Sequence, residues 1–408
     1  MDCHRLLPIL SSAWILSCAG ASSKPADSAT PGGASTKVTA MSVTPATGPH
    51  APAVNPFEGA QFYLNPEYAK KVDAAAAATP PMAAQMKKVA ANSTALWIDS
   101  IANVAHVQNW LDDAAKQEKA AGKPVVPVFV VYDLPNRDCS AKSSAGELTS
   151  ENGGEARYRS EFIDKIAAQF KAHAAQRIVA IIEPDSLPNL ATNLDVPQCA
   201  KSKDLYKQSI AYAIAQLSLP NVFVYLDAAH AGWLGWNGNR IKAAEIYKEV
   251  LAGAGGVDRI RGFATNVSNY NILKGDDGKK LEPSNPCPDE MTYVQKLAET
   301  LAGEGITNKG FIIDTARNGK AGIRHKWGNW CNVRGAGLGE RPRAAPAPLV
   351  DAYFWVKPPG ESDGVADPAA PRFDENCKSE DAASNAPQAG EWFGSYFVDL
   401  VKSANPPL

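Results

Sequence analysis

The stretches Val130-Val131-Tyr132-Asp133-Leu134-Pro135-Asn136-Arg137-Asp138-Cys139 and Ile181-Ile182-Glu183-Pro184-Asp185-Ser186 decide how this chain is read. Each is an aliphatic run that stops abruptly at clustered carboxylates. A strand covered on both faces in a parallel sheet reads as a continuous apolar run. Carboxylates at its carboxyl end point into the mouth of an α/β barrel or sheet, where sites form.

The same pattern recurs outward along the chain. Aliphatic runs occur at Ala95 to Asp99, Val125 to Asp133, Ile178 to Glu183, Val222 to Asp227, Ile260 to Asn266, Gly310 to Asp314 and Ala352 to Lys357. Apolar residues at helical spacing lie between them, over Glu155 to Ala174, Leu205 to Leu217, Ile241 to Leu251 and Met291 to Leu301. Alternating strand and helix implies parallel strands with right-handed crossovers. The regular spacing suggests a closed or nearly closed barrel, and every run ends in a polar side chain. A whole ring of such ends is hard to explain by stability alone.

A length of 408 residues suits one large domain with appendages. With 41 basic and 43 acidic side chains, the charge balance argues against a nucleic-acid partner. Nine Trp and twelve Tyr are more telling, because several Trp sit beside polar strand ends rather than inside aliphatic runs.

The N-terminus has the pattern of an export signal over residues 1–19: a weak basic region at His4 and Arg5, then a mostly apolar run from Leu6 to Leu16. That run is shorter than the roughly 20 residues a membrane-spanning helix needs. Ile15-Leu16-Ser17-Cys18 resembles a bacterial lipoprotein processing site, with Cys18 as the lipidated first residue. Plain secretion, with cleavage near Ala19 to Ala21, is the rival. No later segment reads as a membrane span. Residues 20–54 are rich in Ala, Ser, Thr, Pro and Gly and read as a flexible linker. The folded domain is expected over 55–408. Seven cysteines in an exported chain suggest disulfides. Cys3 and Cys18 belong to the signal, so an odd set remains: Cys139, Cys199, Cys287, Cys331 and Cys377.

Further polar runs refine the site. Asp227-Ala228-Ala229-His230-Ala231-Gly232-Trp233-Leu234-Gly235-Trp236 joins a strand-end acid to a His and two Trp on a Gly-rich loop. Trp327-Gly328-Asn329-Trp330-Cys331-Asn332 is a second aromatic loop. Lys357-Pro358-Pro359-Gly360-Glu361-Ser362-Asp363-Gly364 opens an irregular segment running to Gln388, a length expected of functional lids or walls. Other chemistries fit worse. His230, Asp227 and Asp185 are the candidates for a metal, yet the six His show no metal-ligand spacing, so no metal and no cofactor are expected. A nucleophile elbow of the GxSxG type is absent. Two carboxylate clusters facing one cleft instead supply the acid and base that glycosidic cleavage requires.

Taken together, these motifs resemble glycoside hydrolase family 6, the inverting cellulases acting on β-1,4-glucan. The resemblance runs from about Asn55 to Pro406. It rests on the two opening runs, on Tyr225 to Trp236, on Ala264-Thr265-Asn266-Val267-Ser268-Asn269-Tyr270, on Trp327 to Val333 and on Trp355 to Gly364. It implies a distorted TIM-like barrel of about seven parallel strands, with long loops roofing the site on the carboxyl-terminal face. It also implies roles. Asp185 falls at the general acid, and Asp138 at the carboxyl whose charge raises the proton affinity of Asp185. Asp363 falls at the base, acting through water. Tyr132 and Ser144 are expected near the distorted sugar and the attacking water. Trp97, Trp233 and Trp330 match stacking platforms, and Asp99, His230, Asn269, Lys357 and Glu361 match partners for sugar hydroxyls. Asp227 matches an acid lining the same site. The resemblance pairs Cys139 with Cys199 and Cys331 with Cys377, leaving Cys287 as the candidate free thiol.

Two loops distinguish exo from endo action in such enzymes. Glu361 to Gln388 is long and Ser140 to Glu147 is present at full length, which favours a cellobiohydrolase releasing cellobiose. An endo-β-1,4-glucanase on the same scaffold is the alternative, and a non-catalytic glucan-binding surface protein is a more distant one. The expected partners are cellulose and cello-oligosaccharides, met outside the cell by a monomer.

Overall fold

The aliphatic runs become strands because their side chains find cover on both faces of one curled sheet. The computed structural model describes residues 54–276 and 281–408. The signal and linker expected over 1–54, with Cys3 and Cys18, lie outside the described residues apart from Val54. In chain order the strands are β1 (Gln61–Phe62), β2 (Leu96–Ile98), β3 (Val125–Val126), β4 (Val128–Val131) and β5 (Ile178–Ile182). They continue with β6 (Val222–Asp227), β7 (Gly262–Thr265), β8 (Gly310–Asp314), β9 (Arg343–Ala347) and β10 (Val350–Phe354).

Seven of these, β2, β4, β5, β6, β7, β8 and β10, pair in that order and all in parallel. β9 is an addition to the seven, running antiparallel along the other edge of β10. Thr94 bridges Trp355, and the Ala95 N–H donates to the Trp355 carbonyl at 3.1 Å. The start of the first parallel strand thus meets the end of the last, and a distorted barrel results.

Strand alternation divides the apolar residues into two cores. Val128, Val130, Val179, Ile181, Phe223, Tyr225, Ala264, Ile312, Ala352 and Phe354 pack together inside the barrel. Their neighbours Phe129, Val131, Ala180, Ile182, Val224, Leu226, Phe263, Phe311 and Ile313 pack outward against the helices. Each large side chain buried this way contributes roughly 1.5–3 kcal/mol. Asp351 accepts the Tyr225 hydroxyl at 2.6 Å and Arg261 Nη2 at 2.7 Å, so this buried carboxylate is well compensated.

The helical spacings correspond to Pro197–Leu217, Asn237–Gly253 and Glu290–Gly303. Asp289 caps the last of these by accepting the Thr292 N–H at 2.7 Å. The stretch expected as one helix over Glu155 to Ala174 is interrupted by a π-helical segment at Tyr158–Ile163. That segment buries Tyr158, whose hydroxyl donates to Glu183 Oε1 at 2.8 Å. A third cluster joins Pro66–Ala78, started by an Asn65 cap and a proline, to the C-terminal helix Gly394–Lys402. Among the described residues no helix is long and apolar enough to cross a membrane.

Candidate active site

Chemistry-bearing side chains collect where the parallel strands stop, on turns held in unusual backbone conformations. Asn136, Asp138, Glu183, Asp185, Ala229, Asn266 and Ser268 all have φ between 46° and 67°. Non-glycine residues persist there only when their surroundings over-determine them. Buried polar groups do so here. The Glu183 carboxylate accepts the Asp133 and Leu134 N–H groups at 3.2 and 3.1 Å, and Asn266 Nδ2 donates to the Asn271 and Asp314 carbonyls at 3.1 and 2.9 Å.

These turns surround a cavity of about 460 Å³. Eleven of the fourteen residues named from sequence for catalysis or sugar contact line it: Trp97, Tyr132, Asp138, Ser144, Asp185, His230, Trp233, Asn269, Trp330, Lys357 and Asp363. A neighbouring cavity of about 230 Å³ shares Trp97, Tyr132, Ser144 and Lys357 with the first, and Asp99 and Glu361 line it. Through these four shared residues the two cavities adjoin, and together they are called the path. Asp227 departs from the expectation of an acid lining the site. It is buried beneath the turn, where its Oδ2 accepts the N–H groups of Asp185 and Ala229 at 3.0 and 3.1 Å, and it lines neither cavity. Its reach is to the acid at position 185, through space and through that backbone bond.

The three cavity carboxyls are held in three different states. Burial drives the Asp185 carboxyl well above its ordinary value, reinforced by the negative charge of Asp227 and then of Asp138. Asp227, itself raised by burial to about 7, is thus the larger charged neighbour, ahead of the Asp138 expected in that role. Asp138 is raised to about 6, chiefly by burial and less by Asp374, while the Ser144 N–H donating to its Oδ2 at 2.7 Å pulls it down. Asp363 goes the other way. Burial pushes it up, but Arg317 and Lys357 outweigh burial and hold it below the usual range. Its oxygens accept Arg317 Nη1, the Tyr270 hydroxyl and the Asn332 N–H, each at 2.8 Å. A carboxyl whose protonated form is favoured, lining the same cavity as one whose ionised form is favoured, is a pairing suited to acid–base catalysis.

The cavity walls are aromatic and polar by turns. Trp97 meets Tyr132 edge-on at 5.4 Å, and Lys357 Nζ lies 5.8 Å from the Trp97 ring centre. Trp233 is anchored by its Nε1 donating to Thr192 Oγ1 at 2.7 Å. His230 Nε2 pairs with Asn269 Nδ2 at 3.0 Å, and burial followed by the Arg324 charge lowers this imidazole to about 3. It therefore stays neutral. Asp99 accepts Asn103 Nδ2 at 2.5 Å, and Glu361 pairs with Lys71 at 3.1 Å.

Two disulfides clamp the rim: Cys139–Cys199 and Cys331–Cys377. Cys287 is free and buried. The loops Ser140 to Glu147 and Glu361 to Gln388 touch over the path. Asp374 Oδ2 accepts the N–H groups of Lys142 and Ser143 at 2.7 and 3.2 Å. A Cβ on Gly364 would stand 2.7 Å from Ser143 Cβ, so only glycine allows this approach.

Sequence reading passed over Arg317 and assigned no individual role to Tyr270, Asn332, Arg137 and Trp327, although these four lie within the motif runs quoted above. Arg137 stacks on Tyr132 at 4.4 Å and donates to the Ser144 and Asp99 carbonyls at 2.7 and 2.9 Å. Trp327 lines the cavity against Gly232, where a Cβ would lie 2.1 Å from its Nε1. Arg317 follows the β8 end by three residues, so the strand-end rule extended slightly would have marked it.

Comparison with known proteins agrees with this geometry. The family model for glycosyl hydrolases family 6 matches residues 57–404. Exoglucanase 3 of Agaricus bisporus is 42% identical over 359 residues, which are 87% of this chain and 80% of that protein. The 1,4-beta-D-glucan cellobiohydrolase C of Emericella nidulans is 43% identical over 362 residues, 86% of this chain and 79% of that one. Among solved structures, cellobiohydrolase II (Cel6A) of Humicola insolens, in complex with glucose and cellotetraose, superposes with a TM-score of 0.84. It is 39% identical, covering 87% of this chain and 100% of that one. The chain described here belongs to the glycosyl hydrolases of family 6.

Proposed function

We infer that this chain hydrolyses the β-1,4-glucosidic bonds of cellulose with inversion at the anomeric carbon, working from chain ends and releasing cellobiose. The single observation that carries exo action is the roof, in which Asp374 holds the Ser140 to Glu147 loop, whose Ser140, Ala141, Ser143 and Ser144 line the cavity. A covered path admits a chain by its end and denies entry to the middle of one.

In this reading Asp185 donates its proton to the glycosidic oxygen as the bond to the anomeric carbon breaks. A water attacks that carbon from the opposite face and gives up a proton, through a second water, to Asp363. The raised proton affinity of Asp185 and the favoured ionised form of Asp363 support those roles. Asp138 adds negative charge beside Asp185 and steadies the oxocarbenium-like transition state. Tyr132 and Ser144 border the distorted sugar. Trp97, Trp233 and Trp330 stack on sugar faces, while Asp99, His230, Asn269, Lys357 and Glu361 bond hydroxyls. Asp227 acts from below, on the acid rather than on the sugar.

The test is digestion of cellohexaose with anomer detection. Cellobiose released first as the α anomer is expected. A β product overturns inversion, and a rapid viscosity drop on carboxymethyl cellulose overturns exo action.

The enzyme works outside the cell in this reading, which two disulfides support. It is either released or held at the cell surface by a lipid on Cys18, and it acts as a monomer. Incorporation of a labelled fatty acid, lost in Cys18→Ser, tests the anchor, and light scattering tests the monomer.

A further inference from the structure

Three successive backbone N–H groups on the roof loop are divided between two carboxylates. Those of Lys142 and Ser143 go to Asp374 Oδ2, at 2.7 and 3.2 Å, and that of Ser144 goes to Asp138 Oδ2 at 2.7 Å. A chain segment this short is nearly rigid once two of its amides are fixed. The anchor on Asp374 therefore sets where the third N–H points. We propose that Asp374 is a positioning residue for catalysis, which by latching the roof loop aims the Ser144 N–H at Asp138 and keeps Asp138 ionised while the path is covered. The proposal rests on the hydrolytic role inferred above.

Asp374 is well placed for this work. It is buried. Its Oδ1 is occupied locally, accepting the Asn376 N–H and Nδ2 at 2.8 Å each at the start of the helical turn Glu375–Lys378. Its Oδ2 is thus left for the loop more than 200 residues earlier. The turn it caps carries Cys377, bonded to Cys331, so the latch stands on a braced base. The Asp374 N–H donates to the Val365 carbonyl at 3.3 Å, which closes the intervening segment on itself. On the other side, Arg137 grips the Ser144 carbonyl at 2.7 Å.

The latch and the charge of Asp374 act on Asp138 in opposite senses. Asp138 faces Arg137 and Arg372, which favour its ionised form, Asp374, which opposes it, and the buried Asp185, Tyr132 and Tyr206, whose own titration feels its charge. The Ser144 hydrogen bond has the larger influence of the two that Asp374 controls. Removing the latch therefore disfavours the Asp138 carboxylate, whereas removing only a nearby negative charge favours it. The sign of the change separates the two roles.

The experiment uses the full chain with Asp374→Asn, which retains an Oδ1 for the local cap and loses the acceptor for the loop. Expected is an acid limb of the kcat–pH profile moved upward by about one unit. Turnover on cellohexaose should also fall, by up to about 100-fold for a misplaced group. On amorphous cellulose the ratio of soluble to insoluble reducing ends should drop several-fold as the roof loosens. Asp374→Glu should restore part of each. Asn376→Ala, which weakens only the local cap, should lower the melting temperature and leave the acid limb in place. An acid limb that stays put or moves downward in Asp374→Asn, or an unchanged ratio of ends, overturns the proposal. Failure of the wild-type chain to release cellobiose would instead overturn the functional reading beneath it.

Discussion

The Arg317 guanidinium donates through Nη1 to both carboxylate oxygens of Asp363, at 2.8 Å each, and both side chains are buried. The cost of burying two charges is offset by further donors to Oδ2, the Tyr270 hydroxyl and the Asn332 N–H, while Oδ1 accepts only Arg317 and keeps capacity for a proton. The pair explains why the ionised form is favoured at Asp363 while the protonated form is favoured at Asp185, which lines the same cavity. It also makes the Glu361 to Gln388 loop depend on a residue far away in sequence.

Arg317→Ala should therefore cost about 3–5 kcal/mol of stability, because it strands the Asp363 charge. Denaturant melts measure this. The double variant Arg317→Ala with Asp363→Ala should recover part of the loss, and strictly additive losses would contradict the coupling.

Asp185→Ala should lower turnover on cello-oligosaccharides by at least about 10²–10⁴-fold, the usual worth of a general acid. Binding of cellotetraose, followed by tryptophan fluorescence, should persist. Wild-type turnover in this variant would remove Asp185 from the role of acid.

Asp138 is raised to about 6, so its ionised form is lost as pH falls through that value. Activity that needs the carboxylate should decline on the same acid limb. Asp138→Asn should cut turnover severely and flatten that limb. A limb unchanged in the variant would assign it to another group.

Buried carboxyls make the fold itself pH-sensitive. Asp133 and Glu290 are raised to about 8, and Glu183 and Asp227 to about 7, in every case chiefly by burial. A group whose folded value lies above its unfolded one binds more protons when folded, so stability falls as pH rises between the two values. Each unit of difference amounts to about 1.4 kcal/mol. Asp363 has the opposite sign, and its contribution is lost as pH falls below the ordinary carboxylate range. Calorimetry should accordingly find a higher melting temperature near pH 5 than near pH 8, and the reverse order would contradict the burial of these acids.

Much of this was legible in the residues themselves. The runs at Val128–Val131, Ile178–Ile182 and Val222–Asp227 read as parallel strands because both of their faces are covered, which leaves no polar alternation. Asp138 and Asp185 stood out because strand ends in such folds face the site. The helix Pro66–Ala78 was not read from sequence, because its Ala-rich run lacks a clear apolar stripe despite the Asn65 cap. The break at Tyr158–Ile163 was hidden as well, since no local pattern marks it and the bond its Tyr158 makes is to Glu183, far along the chain.

What sequence alone determined was which side chains stand at the carboxyl ends of the strands, because strand period and burial are local and repetitive. What only tertiary structure decided was the state of each. Asp227 lies under Asp185 rather than along the path, Arg317 keeps Asp363 ionised, and Asp374 joins the two halves of the roof. Proton affinity depends on burial and on the distance to other charges, and those distances come into being only when segments far apart in the chain close on one another.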